Sequence, residues 1–228
     1  MTSHGAASER PDVTIDDIVA AHARIADGVL RTACIEAPSL SRITGSTVFA
    51  KLEYQQRTGS FKERGARNAL LQLPAAARKQ GVIAASAGNH AQGVALGASR
   101  LGAKAVIVMP VTTPALKIDA VKALGGDVVL FGDSYSDAHE YALKLEKKNG
   151  MTFVHPFDDP DVIAGQGTIA MEMLRQHQGP LHAVFVAVGG GGLISGVANY
   201  IKAVRPDVKV IGVQTHDSDA MLQSVNAG

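Results

Sequence analysis

The chain has 228 residues, 46% apolar and 19% charged, an ordinary composition for a globular protein of one large domain or two small ones. Lys plus Arg number 22 against 21 Asp plus Glu, a net charge of +1, and aromatic residues are 4% with no tryptophan, so neither a basic face for nucleic acid or an anionic membrane nor a base-stacking platform is expected. One cysteine, Cys34, excludes an intramolecular disulfide and points to a reducing compartment, the cytoplasm by default, and no apolar run is long enough to span a bilayer.

Residues 1–12 are polar, lack the apolar core of a signal peptide and read as a flexible tail. Thr14 and Asp17 have the spacing of a capping box, so a helix is expected to begin there. Residues 48–54 read as a strand, and from Phe61 to about Leu71 the period turns helical. A regular alternation follows. Strands are expected at 82–85, 105–110, 127–131, 151–155, 183–188 and 208–214. Helices are expected at 89–101, 115–124, 134–149, 159–177 and 192–204, with one short helix and a tail after 214. Short, continuous apolar strands between helices predict an α/β fold of parallel sheets covered on both faces. The units of 82–150 look self-contained. They predict a small α/β domain, 78–155, inserted into a larger one made of 13–77 and 156–228.

Three segments carry chemistry. In Ser60-Phe61-Lys62-Glu63, Ser60 and Glu63 have capping-box spacing, which leaves Lys62 unexplained. A helix dipole disfavours a cation in the first turn and favours the neutral amine, the form that condenses with a carbonyl. By spacing alone, an ordinary surface lysine is the simpler reading. In Ser86-Ala-Gly88-Asn89-His90, a buried strand meets a helix whose free N–H groups suit a carboxylate or phosphate. Equally, Ser86 would cap the helix and Gly88 permit the turn. The strongest signal is Gly189-Gly190-Gly191-Gly192 before Leu193, since a tight turn rarely needs four glycines. Successive backbone N–H groups there suit a phosphate. The loop fits neither the dinucleotide fingerprint nor a P-loop. The eight histidines are scattered with no metal-binding spacing, so no metal is expected. Asp158-Asp159 before Pro160 reads as a helix start.

Taken in order, SFKERGA, SAGNHAQGVA, IAGQGTIAMEM (163–173) and VGGGGLISG (188–196) resemble the threonine and serine dehydratases of the fold-type II pyridoxal 5'-phosphate (PLP) enzymes. That fold is a two-domain α/β architecture like the tryptophan synthase β chain. The resemblance implies PLP as cofactor, with Lys62 as its Schiff-base lysine and later the carrier of the substrate's α-proton. It implies Phe61 packed against the pyridine ring and Asn89 bonded to the ring hydroxyl. Ser86, Gly88, Asn89 and His90 would frame the substrate carboxylate. Gly189, Gly190, Gly191, Gly192 and the Leu193 backbone would hold the phosphate. The implied reaction is β-elimination from an amino-acid substrate by a homo-oligomer.

Serine racemase, a relative, has a serine where this chain has Ala87 and an asparagine where it has Phe157, which favours elimination over racemisation. Its cation site uses two carboxylates where this chain has Gln214 and Ala220. Two alternatives stay open: another fold-type II enzyme, such as a racemase or β-replacement synthase, and a non-catalytic chain that binds PLP or a partner subunit. Members of the family continue past the last strand read here, so a C-terminally truncated dehydratase is the expectation.

Overall fold

The computed structural model describes residues 13–227, so the expected tail at 1–12 lies outside the described residues. The chain opens with α1 (Ile15–Ile25), β1 (Cys34–Glu36), α2 (Pro38–Thr44) and β2 (Phe49–Lys51). A 3-10 turn at Glu53–Gln55 leads to α3 (Lys62–Gln72) and α4 (Ala75–Gln80). Next come β3 (Val82–Ala85), α5 (Asn89–Arg100), β4 (Ala105–Met109), α6 (Ala115–Ala123), β5 (Asp127–Leu130), α7 (Tyr135–Asn149) and β6 (Thr152–Phe153). The chain then runs through α8 (Pro160–Gln176), β7 (Ala183–Ala187), α9 (Gly192–Val204), β8 (Lys209–Val213) and α10 (Ala220–Ala227). No helix among the described residues is long and apolar enough to cross a membrane.

Thr14 caps α1 as its spacing predicts: its hydroxyl accepts from the Asp17 N–H, and the Asp17 carboxylate accepts from the Thr14 N–H. The strands β5, β4, β3 and β6 form one parallel sheet in that order. Every residue of β3 and β4 is buried, which is why both read as unbroken apolar runs. Several features depart from expectation. Helices α2 and α4 are not among the expected elements, and the strand at 151–155 contracts to β6. The strand at 48–54 contracts to β2, which pairs antiparallel with β1, a strand too short and too polar to show a period. The parallel pair β7–β8 is covered on one face only: Val184 and Val186 are buried while Phe185, Ala187, Ile211 and Val213 are exposed.

Helices α3, α8 and α9 pack at unusually short range. A Cβ on Gly165 would fall 2.7 Å from the Gly65 Cα, and one on Gly196 would fall 2.6 Å from the Gly167 N. Glycine in a helix costs about 0.5–1 kcal/mol relative to alanine. Here it lets backbones touch, so the helix that begins at Lys62 is locked against α8.

The same crossing buries a charge cluster. Arg64 has 0% exposure, and its guanidinium donates to Glu53 at 2.8 Å, Glu172 at 2.8 and 2.9 Å, and Thr168 at 3.2 Å. Lys51 donates to the same Glu172 and to the Thr32 carbonyl. All three guanidinium nitrogens are engaged within this set, which offsets the cost of taking the ions out of water.

Candidate active site

Lys62 is the first residue of α3, after a loop fixed by buried polar groups. The Ser60–Glu63 capping box is not formed. Phe61 already has helical backbone angles and takes the N-cap position, so the spacing no longer fits. The Ser60 hydroxyl accepts from the Lys62 N–H, and the Glu63 carboxylate accepts from the Thr58 N–H at 3.2 Å and pairs with Arg57 at 3.4 Å. Lys62 Nζ lies 5.5 Å from the centroid of the Phe61 ring and donates to the Pro156 carbonyl at 2.5 Å. Burial lowers its amine to about 8.

Beyond β3, the Ser86 N–H donates to the Val108 carbonyl, extending the sheet by one residue. The Ser86 hydroxyl accepts from the Gly88 N–H at 3.2 Å; Gly88 is the N-cap of α5, with no side-chain cap, so Ser86 does not cap this helix. The first amide bonded back along α5 is that of Gln92, to Gly88, which leaves the N–H groups of 89–91 at the open end. Asn89 is exposed there. His90 is 3% exposed, and its Nε2 donates to the Val154 carbonyl at 2.9 Å. Burial lowers His90 to about 3, so the ring is neutral.

The glycine run leaves β7 and opens α9. Gly191 is the N-cap at φ +90°, a conformation that favours glycine. The Ser195 N–H bonds back to Gly191, leaving the N–H groups of 192–194 at the helix end. A Cβ on Gly190 would sit 2.3 Å from the Phe157 ring, and one on Gly192 would sit 2.5 Å from the Phe157 carbonyl. Around Gly189 there is open space. Leu193 is half-buried and packs on the apolar cluster of α8 and β7.

All three segments therefore meet at the connector 154–158 between β6 and α8. Val154 takes His90, Pro156 takes Lys62, and Phe157 backs Gly190 and Gly192. His155 Nδ1 accepts from the N–H groups of Phe157 and Asp158, which tightens the turn. Among the described residues, neither the Ser86 nor the Asn89 side chain bonds to Lys62 or to the glycine run. Asp159 caps α8 by accepting from Asp161 and Val162, as read from Asp158-Asp159-Pro160. No group of three or more His, Cys, Asp or Glu side chains among the described residues is placed to hold a metal ion.

A glycine run backed by an aromatic ring and a half-buried amine thus meet at one connector, and the sequence that builds them matches a family model. The pyridoxal-phosphate dependent enzyme model covers residues 25–228. The chain belongs to that family. It is 60% identical over 209 residues to the biosynthetic L-threonine dehydratase of Burkholderia multivorans, covering 90% of this chain and 41% of that one. Threonine deaminase isoform 2 of Solanum lycopersicum superposes with a TM-score of 0.88 at 46% identity, over 96% of this chain and 62% of that one. Maize serine racemase superposes with a TM-score of 0.92 at 36% identity, over 96% and 66%. The chain thus spans well under half the length of the first three curated relatives it matches. Its fold is that of the fold-type II PLP enzymes.

The residues fit PLP. The helix end at Gly191–Leu193 offers backbone amides, and its glycines carry no side chain of their own, which suits a phosphate; the flexible end of Met221 lies against Gly191. Lys62 offers a largely buried amine whose neutral form is reachable near pH 8.

Proposed function

We propose that this chain is the cofactor-holding part of a threonine or serine dehydratase, acting in β-elimination of L-threonine and/or L-serine to a 2-oxo acid and ammonia. The observation that carries this reading is Lys62, a largely buried amine lowered to about 8 and aimed at the connector that backs the glycine run. When bound, PLP supplies an aldehyde for that amine and a ring that draws electrons from the substrate's α-carbon.

The residues then take these roles. Gly189, Gly190, Gly191, Gly192 and the Leu193 N–H hold the phosphate. Phe61 packs on the ring, and the exposed Asn89 amide bonds its hydroxyl. Ser86, Gly88, Asn89 and His90 frame the substrate carboxylate. His90 does so through its main chain, since its ring is committed to Val154. Lys62 Nζ takes the substrate's α-proton and the β-hydroxyl is lost, so that the α-hydrogen and the hydroxyl depart as one net water; the released enamine then takes up one water to give the 2-oxo acid and ammonia. Preorganised N–H groups, which need no reordering as charge develops, support the step. Residues 78–155 form the small domain of this enzyme, and 13–77 with 156–228 belong to the large one. The protein works as a cytoplasmic homo-oligomer on a free amino acid. Single-cysteine usage and a near-neutral charge support the compartment and the absence of a nucleic-acid or membrane partner.

The test is an absorbance scan of the chain with PLP before and after borohydride, followed by product analysis with L-threonine. A violet-edge band that borohydride removes, with the reduced adduct on Lys62, and 2-oxobutanoate as the product, is expected. Lys62→Ala is expected to lose both. Normal turnover in that variant would sink the assignment. The close superposition on maize serine racemase favours a second reading, racemisation; D-amino acid as the main product would establish it.

A further inference from the structure

The imidazole of His90 has no chemical task in the proposed reaction, yet its surroundings are specific. The acceptor of its Nε2 is a carbonyl, which cannot donate, so the proton sits on Nε2 and Nδ1 carries the lone pair. That Nδ1 is buried with no hydrogen-bond partner. Such an acceptor is costly to keep, so the ring is held for what Nε2 does.

What Nε2 does is fix Val154. The Val154 N–H donates to the Ile83 carbonyl of β3 at 2.9 Å, and the Val154 carbonyl accepts from His90. Both polar groups of one peptide residue are therefore held, one by the sheet and one by α5. Two residues on, the Pro156 carbonyl receives Lys62 Nζ, and at the third Phe157 meets Gly190 and Gly192. The connector is short and leaves the last ladder position at Val154. Whatever sets Val154 sets where the Pro156 carbonyl lies.

We propose that His90 is a positioning residue: its Nε2–H holds Val154 so that the Pro156 carbonyl stays within reach of the Lys62 amine and Phe157 stays beneath the glycine run. This deepens the proposed dehydratase reading and rests on Lys62 being its reactive amine. It makes the residue next to Asn89 the link between the carboxylate loop and the lysine. A neutral ring is what the task needs, because a charged one would set a second cation beside Lys62. Lys62 and His155 are the titratable groups that act on the ring.

Two amide variants separate the task from simple packing. In His90→Gln, the terminal amide nitrogen can reach the place of Nε2 and donate to Val154. In His90→Asn it falls nearer the place of Nδ1 and cannot. The apparent pKa of Lys62 would be read, without PLP, from the pH dependence of its reductive methylation by peptide mass spectrometry. Hydrogen exchange of the Val154, His155, Phe157 and Asp158 amides would be followed in parallel. His90→Asn is expected to speed that exchange by about tenfold, as loss of one buried hydrogen bond implies. It is also expected to raise the Lys62 midpoint by about one pH unit as water reaches the amine. His90→Gln is expected to restore both. Equal behaviour of the two variants, or a loosened connector with the Lys62 midpoint unmoved, would overturn the proposal. Because this readout needs no cofactor, failure of the wild-type chain to take up PLP would count against the dehydratase reading alone.

Discussion

The lysine side and the glycine side of the site are supported in opposite ways. Lys62 starts a helix whose residues from Glu63 to Leu70 are all buried, with Arg64 enclosed by two carboxylates. The glycine run leaves a two-stranded sheet with one bare face, where Phe185 is 69% exposed, and α10 has no buried residue, its half-buried Met221 lying against Gly191. Lys62 is thus fixed by satisfied charges and direct backbone contact, while the glycine run rests on Phe157, Met221 and one covered sheet face. Stability on the first side depends on single buried charge partners, and on the second side on a glycine fit against Phe157 without any buried charge in support.

The largest test of that contrast is Arg64→Met. It would leave Glu53 and Glu172 without their guanidinium, with Lys51 the remaining cation on Glu172. Removing one partner of a buried ion cluster costs about 3–5 kcal/mol. A fall of that size in urea unfolding is expected, and a loss below about 1 kcal/mol would mean that water or rearrangement serves the carboxylates. On the other side, Gly192→Ala drives a Cβ into the Phe157 carbonyl, whereas Gly189→Ala meets open space. Overpacking of this kind costs about 1–3 kcal/mol. Thermal unfolding should resolve the two variants, and PLP affinity should fall in Gly192→Ala as the loop shifts.

Proton release at Lys62 offers a smaller, graded effect. The folded amine loses its proton near pH 8, while the unfolded one keeps it to the ordinary lysine range. Between these values the unfolded chain holds more protons, so folding stability should rise with pH through that window and be flat below it. The rate of PLP capture should rise through about pH 8 for the same reason, since only the neutral amine attacks. Stopped-flow absorbance against pH measures this. A midpoint in the ordinary lysine range would show that burial does not act on this amine.

How much of this is legible in sequence follows from where the information lies. Strands β3 and β4 are readable because both faces are buried, and the glycine run because four glycines in a row leave the backbone bare. Pair β1–β2 is not, since three residues cannot display a period. The connector 154–158 escapes notice because it contributes the Val154 and Pro156 carbonyls, and a carbonyl has no residue signature. Of its side chains, Phe157 is read only by comparison with the racemase and Asp158 only as part of a helix start. Arg64 lies inside a motif that carries the family resemblance, but the partner that explains it, Glu172, is 108 residues away. The Ser60–Glu63 spacing misleads because Phe61 has already entered the helix.

The smallest expected effect tests the bare sheet face directly, by comparing neighbours on one strand. Phe185 and Val186 point to opposite faces of β7, with 69% and 6% exposure. Val186→Thr places a hydroxyl in the cluster shared with Ile201 and Val208, at a cost of about 1–3 kcal/mol unless it finds a partner. Phe185→Thr removes a ring that is mostly in water, so stability should change by less than about 0.5 kcal/mol. It should also reduce self-association, because it shrinks an apolar patch that includes Ile211 and Val213. Urea unfolding and light scattering on the two variants read these effects separately. Equal destabilisation by both substitutions would mean that the Phe185 face is covered in solution, and the two sides of the site would then be supported alike.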